Sequence, residues 1–201
     1  MYIFKAISRI FENHLIYSHL RGVFTLFHFA IRRIIRNSFK DNQSKIVLDL
    51  CCGPGDFATN FMEIHYLALD ISLNYISALQ LKNFENVSVI LGDAIKSPLK
   101  KQSVDMCLLI NCAHHFDDNS FDLLLEEIIR ILKPGGRILF IDPITDRGGI
   151  LQKFILSLDR GDYCRSSTEI FNKLNKNFVF ENNFFFRNGM WMEWYYLGRR
   201  R

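Results

Sequence analysis

The most informative chemistry in this sequence lies in a short loop that follows an apolar, β-branched run and its carboxylate, Asp49. Gly53 and Gly55 let the backbone approach a ligand where a side chain would block it. A carboxylate here repels a phosphate group, and Pro54 removes one backbone N–H that a phosphate would use. The loop therefore favours a ligand that is positively charged where it meets the protein.

Two further carboxylates follow the next two apolar runs. Asp70 stands about 20 residues after the loop begins, where an acidic side chain can accept hydrogen bonds from both hydroxyls of a ribose. Asp93 follows the third run, where it can accept a hydrogen bond from the amino group of an adenine. The three acids together predict one site for a nucleoside ligand with a cationic group.

Candidates for a general base follow the fourth and fifth apolar runs. Histidine side chains ordinarily titrate near neutrality, so that His114 or His115 could take a proton from a hydroxyl group. Asp142, at the end of the fifth run, is a further candidate. For each of these residues a purely structural role is the alternative.

From residue 46 onward, short apolar runs alternate with helical periods, which is the signature of βαβ units around a parallel sheet. Such a sheet brings the carboxyl ends of its strands to one edge, where ligands bind. The alternation predicts strands near 46–50, 66–70, 87–91, 104–110 and 137–142. It predicts helices near 56–63, 73–82 and 120–132.

The two ends of the chain follow other patterns. Between residues 20 and 35, apolar side chains recur at three- and four-residue steps, which predicts an amphipathic helix with a basic face. Helices are also predicted near 149–158 and 167–174, the second with a capping box that starts at Ser166. Asn188-Gly189 predicts a hairpin that joins strands near 177–186 and 190–197.

Five motifs occur in a characteristic order. They are Asp49-x-x-x-Gly53-Pro54-Gly55, Leu69-Asp70-Ile71-Ser72, Gly92-Asp93-Ala94, Val104-Asp105-Met106-Cys107-Leu108-Leu109 and Leu132-Lys133-Pro134-Gly135-Gly136-Arg137. The series resembles the class I S-adenosylmethionine-dependent methyltransferases, in the type 11 or quinone-biosynthesis-like group, over about residues 44–143. One position departs from the family loop, because Cys51 stands where the family has its first glycine.

The resemblance implies a fold and a cofactor. The fold is a doubly wound, Rossmann-like α/β domain with helices on both faces of a seven-stranded sheet, mostly parallel with an antiparallel final strand. We expect it to span residues 44–201, after an N-terminal helical segment, 1–43, that serves as a lid or a surface contact. The cofactor is S-adenosylmethionine, and the residues that the resemblance implies for its binding are Asp49, Cys51, Gly53, Gly55, Asp70, Ile71, Asp93, Ala94 and Asn111.

The resemblance also implies the activity, which is methyl transfer to a small-molecule or lipid-linked acceptor. Because the sulfonium methyl group is already activated, the protein mainly has to align the acceptor in line with the carbon–sulfur bond. The histidine and aspartate candidates favour oxygen as the acceptor atom. In the segment 158–167, Arg160 and Arg165 could clamp an acidic group of the acceptor and Tyr163 could form a wall, unless these side chains only organise the connection.

Two other classes of protein are consistent with the same residues. Gly53-x-Gly55-x-x-Ala58 also satisfies the dinucleotide fingerprint of an NAD(P)-binding oxidoreductase. A scaffold protein that binds the cofactor without catalysis is the third class.

The cysteine content and the distribution of charge indicate where the protein acts and which partners it has. The five cysteines form no CxxC pair, so we expect no metal site, reduced thiols and a cytoplasmic protein. The formal net charge is +4, but residues 1–45 carry eight Lys and Arg side chains against two acids. This basic arm predicts peripheral contact of residues 1–40 with an anionic membrane and no nucleic acid, because its aromatic residues lie mainly on the apolar face.

Overall fold

The computed structural model describes residues 28–39, 45–149, 152, 162–189 and 191–201. Within these ranges, the strands are β1 (Ile46–Leu50), β2 (His65–Asp70), β3 (Val87–Leu91), β4 (Val104–Ile110), β5 (Leu132–Pro143), β6 (Phe178–Asn188) and β7 (Trp191–Arg200). The helices are α1 (Phe29–Ser38), α2 (Leu73–Gln80), α3 (Asp118–Ile131) and α4 (Ser167–Leu174). All the strands predicted from the sequence are present, and β5 begins five residues before its predicted start.

The seven strands form one sheet in the order β3-β2-β1-β4-β5-β7-β6. Neighbours from β3 to β5 are parallel, and β7 is antiparallel to both β5 and β6. The predicted mostly parallel sheet with an antiparallel final strand is confirmed. The carboxyl ends of β1, β2 and β4 lie side by side, because Leu50 is in register with Leu69 on one side and Leu109 on the other.

Helices cover both faces of the sheet. One face packs against α3 and α4, whose buried side chains include Phe121, Leu124 and Ile170. The other face packs against α1 and α2 through side chains such as Ile31 and Ile76. A sheet with both faces buried explains why its strands are continuous apolar runs.

The predicted helix over 56–63 is wrong. The chain forms turns after Gly55 and then one short 3-10 helix, Ala58–Phe61, before β2 begins at His65. Fewer than ten residues separate Gly55 from β2, and a regular crossover helix with its connections needs about ten to twelve. Unpaired N–H groups of a helical first turn are therefore not part of this loop.

The basic arm ends in a helix that belongs to the core. Ile31 and Ile35 on α1 are fully buried in one cluster with Phe57 and Tyr66. The amphipathic helix predicted over residues 20–35 is present, in its described part, as α1, and it packs on the domain. Residues 1–27 and 40–44 lie outside the described ranges.

Side-chain bonds tie α1 to the turn that follows the glycine loop. Arg32 donates to Thr59 Oγ1 at 2.9 Å, and Asn60 Nδ2 donates to the carbonyl of Arg32 at 3.0 Å. These bonds hold the described part of the segment 1–43 against the domain.

The C-terminal elements follow the sequence signals. Ser166 caps α4 and forms a reciprocal capping box with Glu169. Gly189 has a φ of +63° in the turn between β6 and β7, a conformation that glycine adopts without steric cost. Of the helix predicted over 149–158, only Gly149 and Gln152 lie within the described residues. Among the described helices, none combines the length and apolar character that a membrane span requires.

Candidate functional site

The glycine loop leaves β1 through a left-handed residue. Cys51 has a φ of +63°, which is the left-handed backbone conformation that favours glycine. This conformation is consistent with the glycine that the family loop has at the same position. Gly53 follows at +55°, and a Cβ added to it would meet no atom within 4 Å. Gly55 is crowded instead, since its Cβ would approach Leu79 Cδ1 to 2.5 Å. The loop thus presents open space at Gly53 and packs against α2 at Gly55.

Asp49 is a buried acid at the base of this loop. Its exposed fraction is 2%, and the hydroxyl of Tyr66 on β2 donates a hydrogen bond to its Oδ2. Burial raises the pKa of Asp49 to about 7, because desolvation outweighs the opposing effect of the Tyr66 hydrogen bond. The carboxyl therefore changes its charge near neutral pH.

Tyr66 is a site residue that sequence reasoning missed. It lies within the apolar run of β2 and looks like an ordinary core aromatic residue in the sequence. The only signal was the hydroxyl itself, since a buried tyrosine hydroxyl needs a hydrogen-bond partner. Burial, together with the neighbouring Asp49, raises the pKa of Tyr66, so that this hydroxyl stays protonated and donates.

Asp70 lies at the end of β2, next to the glycine loop. Its Oδ2 accepts the backbone N–H of Gly53 at 2.8 Å, and its Oδ1 accepts that of Ser72 at 2.8 Å. Each carboxylate oxygen keeps a second lone pair for a further donor. The side chain of the next residue, Ile71, is 74% exposed although it is apolar.

Asp93 follows β3 at the same edge of the sheet. Its Oδ1 accepts the backbone N–H of Ile95 at 3.0 Å, which caps the 3-10 helix Ala94–Lys96. The Asp93 side chain is exposed, whereas Ala94 is buried. Carboxylates, glycine backbone and an exposed apolar side chain therefore share the carboxyl edge of β1, β2 and β3.

A second left-handed residue ends β4. Asn111 has a φ of +51°, and its Oδ1 is buried with no hydrogen-bond partner among the described residues. Its neighbour Cys112 forms a disulfide with Cys51, and their Cα atoms are 6.3 Å apart. The expectation that all five thiols are reduced is therefore wrong for this pair, because strand order brings together two cysteines that lie 61 residues apart.

The histidine candidates lie in two different environments. The His114 side chain is buried, and its Nδ1 lies 2.8 Å from Oδ1 of Asp142, which is also buried. His115 is exposed, and its ring centroid lies 4.3 Å from that of His114. Asp142 thus orients His114, whereas His115 is the histidine that solvent reaches.

The three residues predicted to bind the acceptor, Tyr163, Arg160 and Arg165, also differ in their surroundings. Tyr163 is 46% exposed, and its backbone N–H donates to the carbonyl of His114 at 3.0 Å, so it lies beside the histidine segment. Arg160 lies outside the described residues. Arg165 is buried and donates to the carbonyls of Ala113 and Phe116, which gives it a role in holding the histidine segment.

We expect Arg165→Ala to lower the free energy of unfolding by about 3 kcal/mol. The substitution leaves buried carbonyl oxygens without their donor and removes the ion pair with Asp118. Urea unfolding monitored by circular dichroism measures the change. The matched control is Arg33→Ala on the exposed side of α1, which should change stability by less than about 0.5 kcal/mol. Equal effects of both variants would refute the structural role of Arg165.

The described residues fit an adenosyl ligand that carries a positive charge. Asp49 supplies a buried acid, Asn111 supplies an acceptor without a partner in the described part of the chain, and Gly53 leaves space for close approach. Asp70 and the exposed Ile71 suit a ribose and the face of an aromatic base.

A sequence model of a methyltransferase domain matches residues 47–136. This stretch begins in β1 and ends in β5, and it includes Asp49, Asp70, Asp93 and the loop between the first two acids. Residues 47–136 are a class I S-adenosylmethionine-dependent methyltransferase domain. This assignment favours the methyltransferase interpretation over the dinucleotide oxidoreductase.

Similar proteins share this methyltransferase domain. The chain is 32% identical over 107 residues to an uncharacterised methyltransferase-like protein of Schizosaccharomyces pombe, and the match covers 52% of this chain and 40% of that protein. It is 32% identical over 105 residues to a demethylmenaquinone methyltransferase of Lactococcus lactis, with 48% and 41% covered. The chain therefore spans about two fifths of the length of these relatives.

Solved structures share the fold of the methyltransferase domain and of the strands that follow it. A structure of a SAM-dependent methyltransferase from Aquifex aeolicus matches with a TM-score of 0.67 and 17% identity, and the match covers 85% of this chain and 89% of that chain. The similarity thus extends beyond residues 47–136. The methyltransferase domain expected from the sequence is confirmed over residues 47–136, and the seven-stranded, Rossmann-like fold is confirmed for the described part of the chain.

Proposed function

We propose that the whole chain is an S-adenosylmethionine-dependent methyltransferase that methylates an oxygen atom of a small-molecule or lipid-linked acceptor by in-line transfer. The observation that carries the proposal is the pair of buried acids, Asp49 and Asp70, at the adjacent ends of β1 and β2 within the methyltransferase domain. A buried carboxylate at each of these ends suits a ligand with one cationic group and one diol.

Three residues form the proposed site for the methionine end of the cofactor. Asp49 offers its carboxylate to the ammonium group, and Asn111 offers its buried Oδ1. Gly53 lets the loop backbone approach, since no side chain occupies the space beside it. Cys51 and Gly55 fix the shape of the same loop through the left-handed turn and the packing on α2.

The adenosine end would lie across the ends of β2 and β3. Asp70 would accept hydrogen bonds from the ribose hydroxyls through lone pairs that Gly53 and Ser72 leave available. The exposed side chain of Ile71 would cover one face of the adenine. Asp93 and the backbone of Ala94 would bind its edge.

The chemistry requires little covalent help from the protein. Bound S-adenosylmethionine supplies an electrophilic methyl group on a sulfonium. His115, whose exposed side chain lies next to the His114 ring, would hold the proton that the acceptor hydroxyl loses. His114 and Asp142 would act as positioning residues, because their buried hydrogen bond fixes the segment that carries His115.

The acceptor side is supported by fewer residues. Tyr163 offers an exposed aromatic wall beside the histidine segment. A relative acts, by its name, on demethylmenaquinone, which is consistent with a small-molecule or lipid-linked acceptor. Contact of residues 1–40 with an anionic membrane and a cytoplasmic location stay predictions.

Isothermal titration of the full chain with S-adenosylhomocysteine tests cofactor binding, and methyl transfer from S-adenosylmethionine to a panel of hydroxyl acceptors tests the activity. We expect binding of S-adenosylhomocysteine and no binding of NADH. Binding of NADH alone would refute the proposal in favour of an oxidoreductase. Cofactor binding without transfer to any acceptor, including lipids and RNA, would support the scaffold alternative.

We expect His115→Asn to lower kcat/KM for the best acceptor of that panel about 100-fold, because proton transfer by a positioned base typically contributes at least this much. The loss should be smaller for an acceptor that is already deprotonated. The matched control is His65→Asn, an exposed histidine at the opposite edge of the sheet, which should leave kcat/KM unchanged. An unchanged rate in His115→Asn would exclude this histidine as the base.

A further inference from the structure

The disulfide between Cys51 and Cys112 joins the two arms of the cofactor site. Cys51 begins the glycine loop after β1, and Cys112 follows Asn111 at the end of the adjacent strand β4. The Cα separation of 6.3 Å lies within the usual range for disulfides. The two cysteines are brought together by sheet order rather than by sequence, so the pairing depends on the folded domain.

Both arms carry residues of the proposed site. Gly53 lies two residues after Cys51, and its N–H is bound to Asp70. Asn111 immediately precedes Cys112, and Cys112 leads into the short 3-10 helix, Ala113–His115, that carries the histidines. A covalent bond between Cys51 and Cys112 therefore sets the spacing between the loop beside Asp49 and the amide of Asn111.

The other cysteines have surroundings that set this pair apart. Cys52 and Cys107 are buried, and burial raises the pKa of both thiols, which disfavours the reactive thiolate. Cys164 is partly exposed and lies away from the glycine loop in sequence. Among the described residues, Cys51 and Cys112 are thus the pair of cysteines placed to form a bond between the glycine loop and the segment at Asn111.

We propose that Cys51 and Cys112 are a reversible redox pair, and that their oxidation by a hydroperoxide weakens binding of the adenosyl cofactor. The regulatory part rests on the proposed function. In the reaction the two thiols together lose two protons and two electrons, a sulfur–sulfur bond forms, and the peroxide oxygen–oxygen bond breaks to give an alcohol and water, or two waters from hydrogen peroxide. A dithiol reductant reverses the step by exchange.

The structure carries the bond, so it shows the site residues at the spacing of the oxidised form. Cofactor binding responds because the bond prevents the loop and Asn111 from adjusting that spacing around the ligand. Cys51 has a left-handed backbone conformation, with a φ of +63°, in which a side chain is unusual. A bond between its sulfur and that of Cys112 holds the glycine loop and Asn111 at one spacing and prevents them from moving apart. In the reduced protein this bond is absent, so the glycine loop and Asn111 can each move to fit the ligand.

The experiment uses the full chain, reduced with dithiothreitol and then treated with hydrogen peroxide. N-ethylmaleimide labelling and peptide mass analysis count the free thiols, and isothermal titration measures the affinity for S-adenosylhomocysteine. We expect the peptides that contain Cys51 and Cys112 to lose labelling after peroxide and to regain it after dithiothreitol. We expect the oxidised protein to bind S-adenosylhomocysteine about tenfold more weakly.

Two variants separate the pair from general oxidation. Cys112→Ser should bind S-adenosylhomocysteine equally well with and without peroxide. Cys164→Ser, the matched control, keeps the pair and should respond like the original chain. A bond that dithiothreitol does not open in the folded protein, or equal affinities of the two redox forms, would overturn the proposal. Reversible loss of both thiols without S-adenosylhomocysteine binding in either form would contradict the proposed function and leave only the redox pair.

Discussion

Asp70→Ala is expected to weaken binding of S-adenosylhomocysteine about 1,000-fold. The carboxylate would accept hydrogen bonds from two ribose hydroxyls, and each charge-assisted bond contributes about 2 kcal/mol, so that losing both costs about three orders of magnitude in affinity. The variant also frees the backbone N–H of Gly53, which Asp70 holds at 2.8 Å. Isothermal titration against the unchanged chain measures the loss.

Two further variants make the Asp70 result specific. Asp70→Asn preserves the volume of the side chain and one acceptor oxygen, and should lose less affinity than the alanine variant. Glu126→Ala removes an exposed acid from α3, remote from the glycine loop, and should bind S-adenosylhomocysteine normally. If Asp70→Ala stays folded by circular dichroism and binds within threefold of the original chain, the proposed ribose contact does not exist.

Asp49→Asn is expected to stabilise the fold and weaken cofactor binding in the same protein. Burial raises the pKa of this carboxyl from 3.8 to about 7, so the folded chain retains a proton that the unfolded chain releases. The original chain therefore loses stability as pH rises from about 4 to about 7, by a few kcal/mol in total. Asparagine has no charge to bury, so its advantage in urea unfolding should be absent near pH 4 and complete at pH 8.

The affinity of the original chain for the cofactor should rise with pH, whereas its stability falls, because the ligand needs the charged form of Asp49. The ammonium group of S-adenosylhomocysteine favours the carboxylate, so the affinity of the original chain should fall about tenfold for each pH unit below 7. Asp49→Asn should bind weakly and lack this dependence. A variant that binds as tightly as the original chain at pH 8 would show that Asp49 does not meet the cation.

Asp105→Asn is the matched control for Asp49. Although burial opposes it, the hydrogen bond from Lys133, helped by the backbone N–H groups of Ile46 and Lys45, lowers the pKa of Asp105. The sign of the stability effect is therefore reversed, and Asp105→Asn should destabilise the protein at neutral pH without affecting cofactor affinity. Stabilisation by both substitutions would indicate a general charge effect.

Local patterns were sufficient to predict most of the fold. Buried parallel strands are uninterrupted apolar runs, so β1 and β4 were recognisable in the sequence with the bounds that the structure has. The capping box at Ser166 likewise predicted α4 correctly. The helix over 56–63 failed because apolar periodicity does not measure the chain length available before β2.

For the candidate site, the sequence could predict where a side chain lies only when the residue stands at the end of a recognisable strand. Asp49 and Asp70 could be recognised because strand ends meet at one edge. The Tyr66 hydrogen bond and the Cys51–Cys112 disulfide join residues whose separation is set by sheet order and strand twist, and a single sequence carries no trace of such pairs. For Arg165 the charge was evident, but its burial against backbone carbonyls was not.

Because α1 is buried against the domain, a recombinant fragment of this protein has to include it. The matched stretch 47–136 excludes Ile31 and Ile35, which cover Phe57, Phe61 and Tyr66. A recombinant chain that starts at residue 46 would expose this aromatic surface to water. We expect such a chain to precipitate or to bind chaperones. Boundaries chosen from the matched stretch alone would thus discard the helix that packs in one cluster with Tyr66, the hydrogen-bond partner of Asp49.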